Sequence, residues 1–291
     1  MTMLEVPGTK ATSFNEREFQ TTTVARMIED RRTYWPGGGG TPILAILLGK
    51  RLYAPNAQYI TEDGVIAPEP QLPFEPVMTM VASRPSYRAL AWGTMNTAGN
   101  HAQLGYIDYG ILNALQVDRY GNINSTAIAT QGERMRRFGG PGGADSIAAN
   151  CWHIILMTDQ EKRKFVERVD FISSPGFLDG TPNARERAGL PRGTGPWRVV
   201  TPWAMYDFDD ERRLRLIATA PYVTVEEVLA ECECPPQLAD HVETLDVPTE
   251  EELEVLRSQL DVQGQATGVR SGWVVREGDR YVRQTEQGDK G

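Results

Sequence analysis

The chain has 291 residues, 40% of them hydrophobic, and a formal net charge of -9 at pH 7. The acidic balance without a basic stripe argues against nucleic-acid binding, and the longest aliphatic run, residues 43–48, is far shorter than the about 20 residues that a membrane helix needs. We therefore expect a cytoplasmic protein that binds neither nucleic acid nor membrane, with its three cysteines reduced.

The first part of the chain predicts two helices separated by a glycine loop. Apolar spacing predicts a helix from Asn15, and residues 34–35 predict a short strand. Thr41 and Pro42 are typical of an N-cap and a first helical position, for a helix that continues to residue 52. The four glycines before them, residues 37–40, can cradle a phosphate or thiolate, but a flexible turn explains them equally well.

The next stretch, Q-Y-I-T-E-D-G at residues 58–64, predicts a short strand that runs into an acidic turn. Glu62 therefore follows the end of a strand. In open α/β sheets, ligands bind outside the carboxyl ends of the strands. We take Glu62 as a candidate nucleophile, with Asp63 and Gly64 lining the same site, although an isolated glutamate of this kind is more often an exposed turn residue.

The middle of the chain predicts a proline-rich irregular loop over residues 67–80, then a strand over 111–117 and its antiparallel mate over 123–128. A second glycine loop, F-G-G-P-G-G-A-D at residues 138–145, precedes a short helix and a strand at 153–157. Its spacing is neither that of a dinucleotide loop nor that of a Walker A loop. It predicts a generic anion or oxyanion cradle, or else a tight structural turn. The residues of this cradle are Gly139, Gly140, Gly142, Gly143 and Ala144.

Strands and capped helices are predicted for the remainder. Strands are expected over residues 165–172, 197–201, 205–208 and 214–218, helices over 224–231 and 252–260, and a hairpin over 273–283. We predict one domain over residues 1–265 and a C-terminal extension over 266–291, which holds the hairpin and a disordered end.

No metal site is expected. His101, His153 and His241 are scattered along the chain, and the pair Cys232 and Cys234 has no second pair at a suitable spacing. A serine-nucleophile elbow of the G-x-S-x-G type is also absent from the sequence. Cys151, in an apolar segment, is expected to be a buried structural thiol.

Six stretches, taken in order, resemble the beta subunits of the family I CoA-transferases of the glutaconate type, from about residue 19 to about residue 265. An ordered series of this kind is far more specific than one glycine loop. The stretches are R-L-Y-A-P at 51–55, T-E-D-G at 61–64, Q-V-D-R-Y-G-N-I-N-S-T at 116–126, F-G-G-P-G-G-A-D at 138–145, E-K-R-K-F at 161–165 and S-S-P-G-F-L-D-G at 173–180.

The resemblance implies an α/β fold of the CoA-transferase type, with an open, mostly parallel sheet and flanking helices. It also implies a homologous alpha subunit as partner, in an α2β2 or larger hetero-oligomer with the active site between the subunits. Acyl-CoA and a carboxylic acid would be the substrates, with coenzyme A as a substrate and no tightly bound cofactor.

The resemblance further assigns roles to residues. The family's catalytic glutamate, in an E-S-G motif, falls on Glu62, with Asp63 in place of the serine. The family's glycine-rich loop falls on residues 139–143. Gly38, Gly39 and Asn122 are further predicted site-lining residues.

The implied activity is a ping-pong transfer of CoA through a glutamyl-CoA thioester. Two alternatives remain at this point. One is a CoA-ester hydrolase of the same fold that opens a steroid-derived ring, a group that lacks the glutamate in the E-S-G position. The other is a non-catalytic subunit that binds acyl-CoA.

Overall fold

A computed structural model describes residues 6–37, 40–73, 84–129, 135–268 and 271–284. Its centre is an eight-stranded sheet in which five neighbouring pairs are parallel, and only the two pairs that involve Ala204–Phe208 are antiparallel. The predicted open, mostly parallel α/β fold is confirmed. In spatial order the strands are Gln237–Thr244, Leu214–Thr219, Ala204–Phe208, Gly195–Val200, His153–Met157, Tyr109–Leu112, Thr33–Pro36 and Gln58–Tyr59.

Helices cover both faces of this sheet. Along His153–Met157, Ile154 and Leu156 enter one hydrophobic core while Ile155 and Met157 enter the other, as the alternation of strand side chains requires. Helices α1, α2 and α7 pack into one core, and α3, α4 and α6 into the other. The α-helices are α1 Glu16–Ala25, α2 Thr41–Leu52, α3 Met95–Gln103, α4 Ala144–Asn150, α5 Ala184–Arg187, α6 Val225–Ala230 and α7 Glu250–Val255, and a π-helix over Leu256–Leu260 follows α7 directly.

Capping side chains fix where several helices begin. Asn15 caps α1 by accepting a hydrogen bond from the Glu18 backbone N–H at 2.9 Å, and the Glu18 carboxylate accepts one from the Asn15 N–H at 2.8 Å. The predicted cap of α2 is wrong by one residue. Gly40, with φ of 78°, is the N-cap, and no side chain makes a capping hydrogen bond there.

The strand predicted over residues 111–117 is two strands. Tyr109–Leu112 lies in the central sheet, whereas Gln116–Asp118 pairs with Ile123–Asn124 and Phe165–Val166 in a separate small sheet. Between them the Asn113 side chain accepts a hydrogen bond from the Ala114 N–H at 2.7 Å, which turns the chain out of the central sheet.

Two further predicted strands are shorter than expected. The second half of the predicted mate, Ala127–Ala129, pairs with Met135–Arg137 instead of continuing the hairpin, and only Phe165–Val166 of residues 165–172 is a strand. The strand Gln237–Thr244 and the helices α3 and α5 were not predicted.

The C-terminal hairpin forms a small sheet with a strand near the N-terminus. Trp273–Glu277 and Arg280–Gln284 pair with each other, and the first of them also pairs with Ser13–Asn15. The predicted disordered end lies outside the described residues, as does the second half of the predicted loop over 67–80, from residue 74 onward. In the described part of the chain, no helix has the length and apolar character needed to cross a bilayer.

Candidate active site

The acidic turn after Gln58–Tyr59 is held by its own backbone and by one buried hydroxyl. The Thr61 N–H donates to the Val65 carbonyl at 2.9 Å, and the Gly64 N–H donates to the Thr61 carbonyl at 3.0 Å. Thr61 is fully buried. Its hydroxyl accepts from the Val65 N–H at 3.0 Å and donates to the Asp63 carboxylate. Asp63 is thereby drawn back onto the turn, which leaves Glu62 as the acid that projects from it.

Gly64 is essential to this turn, because its φ is +88° and a Cβ there would lie 1.9 Å from the Thr94 carbonyl oxygen. We expect Gly64→Ala to lower the free energy of unfolding by more than about 2 kcal/mol, since a backbone clash adds to the penalty of a left-handed conformation. Denaturant unfolding measures this.

Gly278→Ala is the matched control for that substitution. Gly278 also has a positive φ, of +63°, but no atom lies within 4 Å of the position that its Cβ would take. It should lose only the about 1–2 kcal/mol of the backbone term. Equal unfolding midpoints for the two variants would contradict the role of the Thr94 contact.

The second glycine loop meets Glu62 directly. The Gly143 N–H donates to Glu62 Oε1 at 3.1 Å, although the two residues are 81 positions apart. Methyl groups placed on Gly142 and Gly143 would lie 3.4 and 3.2 Å from the same oxygen. The half-buried carboxylate therefore rests against a part of the loop where side chains are absent, and helix α4 begins one residue later.

The loop is positioned by the neighbouring polar segment. The Phe138 N–H donates to the Thr126 carbonyl at 2.8 Å, and the Gly140 N–H donates to the Ser125 carbonyl at 3.0 Å. The buried Ser173 hydroxyl in turn binds the Ser125 N–H at 2.9 Å and the Thr126 hydroxyl at 2.7 Å. Motifs distant in sequence thus support one loop.

The other predicted cradle residues have different surroundings. The Ala144 N–H donates to the Pro141 carbonyl at 2.9 Å, so it is used within the loop, as the Gly140 N–H is used by Ser125. Gly139 is exposed and open on the side where a Cβ would stand. Of the five predicted cradle residues, Gly142 and Gly143 are the ones that adjoin the Glu62 carboxylate.

Asn122 is held by a network of hydrogen bonds and borders a second cavity, of about 430 Å³. It is buried, its side-chain amide donates to Asp118 and to the Leu178 carbonyl, and its Oδ1 accepts from the Gly176 and Leu178 N–H groups. These bonds occupy both ends of the amide. Gly38 and Gly39 lie outside the described residues.

A large cleft of about 1280 Å³ opens beside the loop. Gly37, Gly40, Asn113 and Phe138 border it, and the first three follow or adjoin carboxyl ends of parallel strands, where α/β sheets bind ligands. Among the described residues that line the cleft, Glu62 is not included.

Sequence reasoning missed the supporting residues Thr61, Ser125 and Ser173. All three residues lie inside motifs on which the resemblance rests. The spacing of those motifs does not indicate the hydrogen bonds that these residues form. Cys151 is fully buried and burial raises the pKa of its thiol, consistent with a structural residue. Within the described ranges no cluster of three or more metal-binding side chains occurs.

A family assignment from sequence agrees with the fold and with the contact between the Glu62 carboxylate and the glycine loop. The chain belongs to the coenzyme A transferase family, whose model matches residues 20–231. The resemblance inferred from the ordered motifs is confirmed.

Within this family, the chain is similar to subunits of two named CoA-transferases. The chain is 31% identical over 265 residues to one subunit of the glutaconate CoA-transferase of Acidaminococcus fermentans, covering 88% of this chain and 95% of that one. It is 30% identical over 270 residues to one subunit of the 3-oxoadipate CoA-transferase of Pseudomonas knackmussii, covering 89% and 98%. The crystal structure of the Acidaminococcus enzyme superposes with a TM-score of 0.80 at 28% identity, covering 88% of this chain and 98% of that one.

A more distant relative represents the alternative chemistry. The IpdB subunit of the cholesterol ring-cleaving hydrolase of Mycobacterium tuberculosis is 27% identical over 180 residues, covering 60% of this chain and 64% of that one. The higher identity and coverage lie with the transferase subunits. The predicted enzyme class, a CoA-transferase, is confirmed at this level.

Proposed function

We propose that this chain is the catalytic beta subunit of a CoA-transferase and that Glu62 is the nucleophile. The observation that carries the proposal is the 3.1 Å hydrogen bond from the Gly143 N–H to the Glu62 carboxylate. This bond brings the Glu62 carboxylate and a backbone donor together, and attack on a thioester carbonyl by a carboxylate uses such a pair.

The proposed reaction needs no net proton transfer. A Glu62 oxygen attacks the thioester carbonyl carbon, the C–S bond breaks, and an acyl-glutamyl anhydride and CoA thiolate form. The thiolate attacks the Glu62 carbonyl of the anhydride, releasing the first carboxylic acid as its carboxylate and leaving a glutamyl-CoA thioester. The acceptor carboxylate then attacks this thioester, which breaks its C–S bond and gives a new acyl-glutamyl anhydride and CoA thiolate. The thiolate attacks the acyl carbonyl of that anhydride, which forms the new acyl-CoA and restores the Glu62 carboxylate.

The Gly143 N–H can donate a hydrogen bond to the negatively charged oxygen at successive stages of this reaction. In the resting chain it donates to the carboxylate, which holds Glu62 in place but also stabilises the nucleophile. When charge moves from the Glu62 oxygen to the carbonyl oxygen under attack, the same N–H can donate to the new oxyanion. An oxyanion donor of this kind contributes roughly 3 to 4 kcal/mol to a transition state.

We further propose a homologous alpha subunit as the partner, and both transferase relatives are themselves single subunits of their enzymes. Next to the Glu62 turn, Leu90, Trp92 and Met95 are 80, 68 and 66% exposed. Trp92 pairs with Val65 immediately after the turn. Apolar exposure of this extent beside a reactive group is typical of a covered interface, and covering it would also exclude the water that hydrolyses thioesters.

Both acidic and basic side chains line the cleft, and two of its arginines are available to an anionic substrate. Arg136 and Arg168 line the cleft, and within the described residues neither guanidinium has a carboxylate within ion-pair distance. Arg136 lies over the Phe138 ring, 5.2 Å from its centroid, just before the glycine loop. We propose that these cations receive phosphates of coenzyme A or a carboxylate of the acid substrate.

The test is chemical trapping in the complex of this chain with a homologous alpha subunit. The complex is incubated with a panel of acyl-CoAs, then with borohydride, which reduces a glutamyl thioester to an alcohol. We expect the peptide that contains Glu62 to lose one oxygen and gain two hydrogens with a competent donor. An unmodified peptide with every acyl-CoA that binds would overturn the transferase mechanism and favour the hydrolase or the non-catalytic subunit.

A further inference from the structure

Arg185 is a buried cation that the proposed reaction does not use. The residue is 3% exposed, and no carboxylate in the described part of the chain lies within ion-pair distance of its guanidinium. Burial lowers the pKa of Arg185 to about 10, which leaves it charged at neutral pH. A buried charge without an ionic partner is uncommon and must be satisfied by hydrogen bonds.

Backbone carbonyls from two separate segments and one hydroxyl accept from both terminal nitrogens of the guanidinium, whereas its Nε has no hydrogen-bond partner among the described residues. Nη1 donates to the Pro175 and Gly176 carbonyls at 3.0 and 2.7 Å. Nη2 donates to the Ala148 and Ala149 carbonyls at 3.0 and 3.1 Å, and to the Thr194 hydroxyl at 2.8 Å. The planar fork of one arginine therefore ties the last turn of α4 to the loop at residues 175–176.

Helix α4 connects this cluster to the candidate active site. The helix has seven residues and begins directly after Gly143, the donor to Glu62, while Ala148 and Ala149 lie in its last turn. A helix this short has little intrinsic stability, so tertiary contacts set its orientation. Any rotation of α4 would redirect the Gly143 N–H that precedes it.

We propose that Arg185 is a positioning residue for the transfer reaction, acting through α4 to hold the Gly143 N–H at the Glu62 carboxylate. The inference rests on the proposed function, since it assigns a role within that reaction. It also gives a role to the S-S-P-G-F-L-D-G stretch, because residues 175–176 provide the fixed end of the connection.

The test is Arg185→Lys, since lysine keeps the charge but cannot bridge both sets of carbonyls in one plane. In the complex with the alpha subunit, rapid mixing followed by borohydride gives the rate of adduct formation and the final number of trapped sites. We expect the rate per trapped site at saturating acyl-CoA to fall about 10- to 100-fold, as for a misplaced catalytic group. The half-saturating concentration should change little.

Arg187→Lys is the matched control. It is the same substitution in the same helix, at an exposed residue whose guanidinium donates to the Pro182 carbonyl and the Thr181 hydroxyl, and it should react at the wild-type rate. A purely structural role for Arg185 predicts fewer trapped sites that react at the wild-type rate, and that result would overturn the proposal.

Thr194→Val keeps the guanidinium and removes one of its acceptors, so it serves if Arg185→Lys does not fold. A smaller slowing per site is expected, and a wild-type rate would overturn the proposal. A wild-type complex that forms no adduct would instead overturn the proposed function, and the role of Arg185 in that reaction with it.

Discussion

Replacing Glu62 by glutamine is expected to lower turnover of the assembled enzyme by about 10³-fold or more, as loss of a covalent nucleophile does. The amide has the shape of the carboxylate but no charge to attack a thioester. The amide oxygen can still accept from the Gly143 N–H. Among the described residues, Glu62 forms no ion pair that the substitution would break. Unfolding midpoints should therefore stay near the wild-type value while CoA transfer between acyl-CoA and acid is lost.

Asp63→Asn is the matched control, because it makes the same acid-to-amide change one residue along the chain. The Thr61 hydroxyl that donates to the Asp63 carboxylate can donate equally to an amide oxygen. Turnover within about tenfold of wild type is expected, a small effect beside loss of the nucleophile. Near-normal CoA transfer by Glu62→Gln would show that Glu62 is not the nucleophile. An equal loss of turnover in both variants would indicate that the turn has a structural role only.

The parts of the site could be predicted singly, but their contact could not. Composition and turn chemistry predicted a strand ending at Glu62 and a glycine loop at residues 139–143. The hydrogen bond between Gly143 and Glu62 spans 81 residues, and its existence depends on strand order in the central sheet. Local patterns do not encode that order, so only the resemblance to a family linked the two stretches.

The errors in the fold have local physical causes. Residues 111–117 include five apolar residues and predict one strand, yet the chain leaves the central sheet at Asn113 and enters a smaller one. The strand Gln237–Thr244 was missed because it is an edge strand without buried residues, and it therefore lacks the apolar alternation by which strands are recognised. Arg185 gave no signal, because an arginine that binds carbonyls has no motif.

The glycine loop yields the second large expected effect, through Gly143→Ala. The φ of Gly143 is -81°, which any residue adopts, so a methyl group adds no backbone strain there. It would, however, lie 3.2 Å from Glu62 Oε1 and 3.6 Å from Cδ, and the carboxylate must move. We expect kcat to fall about 100-fold from this misplacement, while the free energy of unfolding changes by less than about 1 kcal/mol.

Substitutions at two neighbouring glycines distinguish displacement of the Glu62 carboxylate from backbone strain as the cause of lost activity. Gly139→Ala places a methyl group in open space and should leave both kcat and stability unchanged. Gly142→Ala has its methyl 3.4 Å from the same oxygen but a φ of +55°, so it should lose about 1–2 kcal/mol of stability as well as activity. Steady-state kinetics and unfolding curves of the three variants give the comparison. If Gly143→Ala is as active as Gly139→Ala, the position of the Glu62 carboxylate against the loop is not required for catalysis.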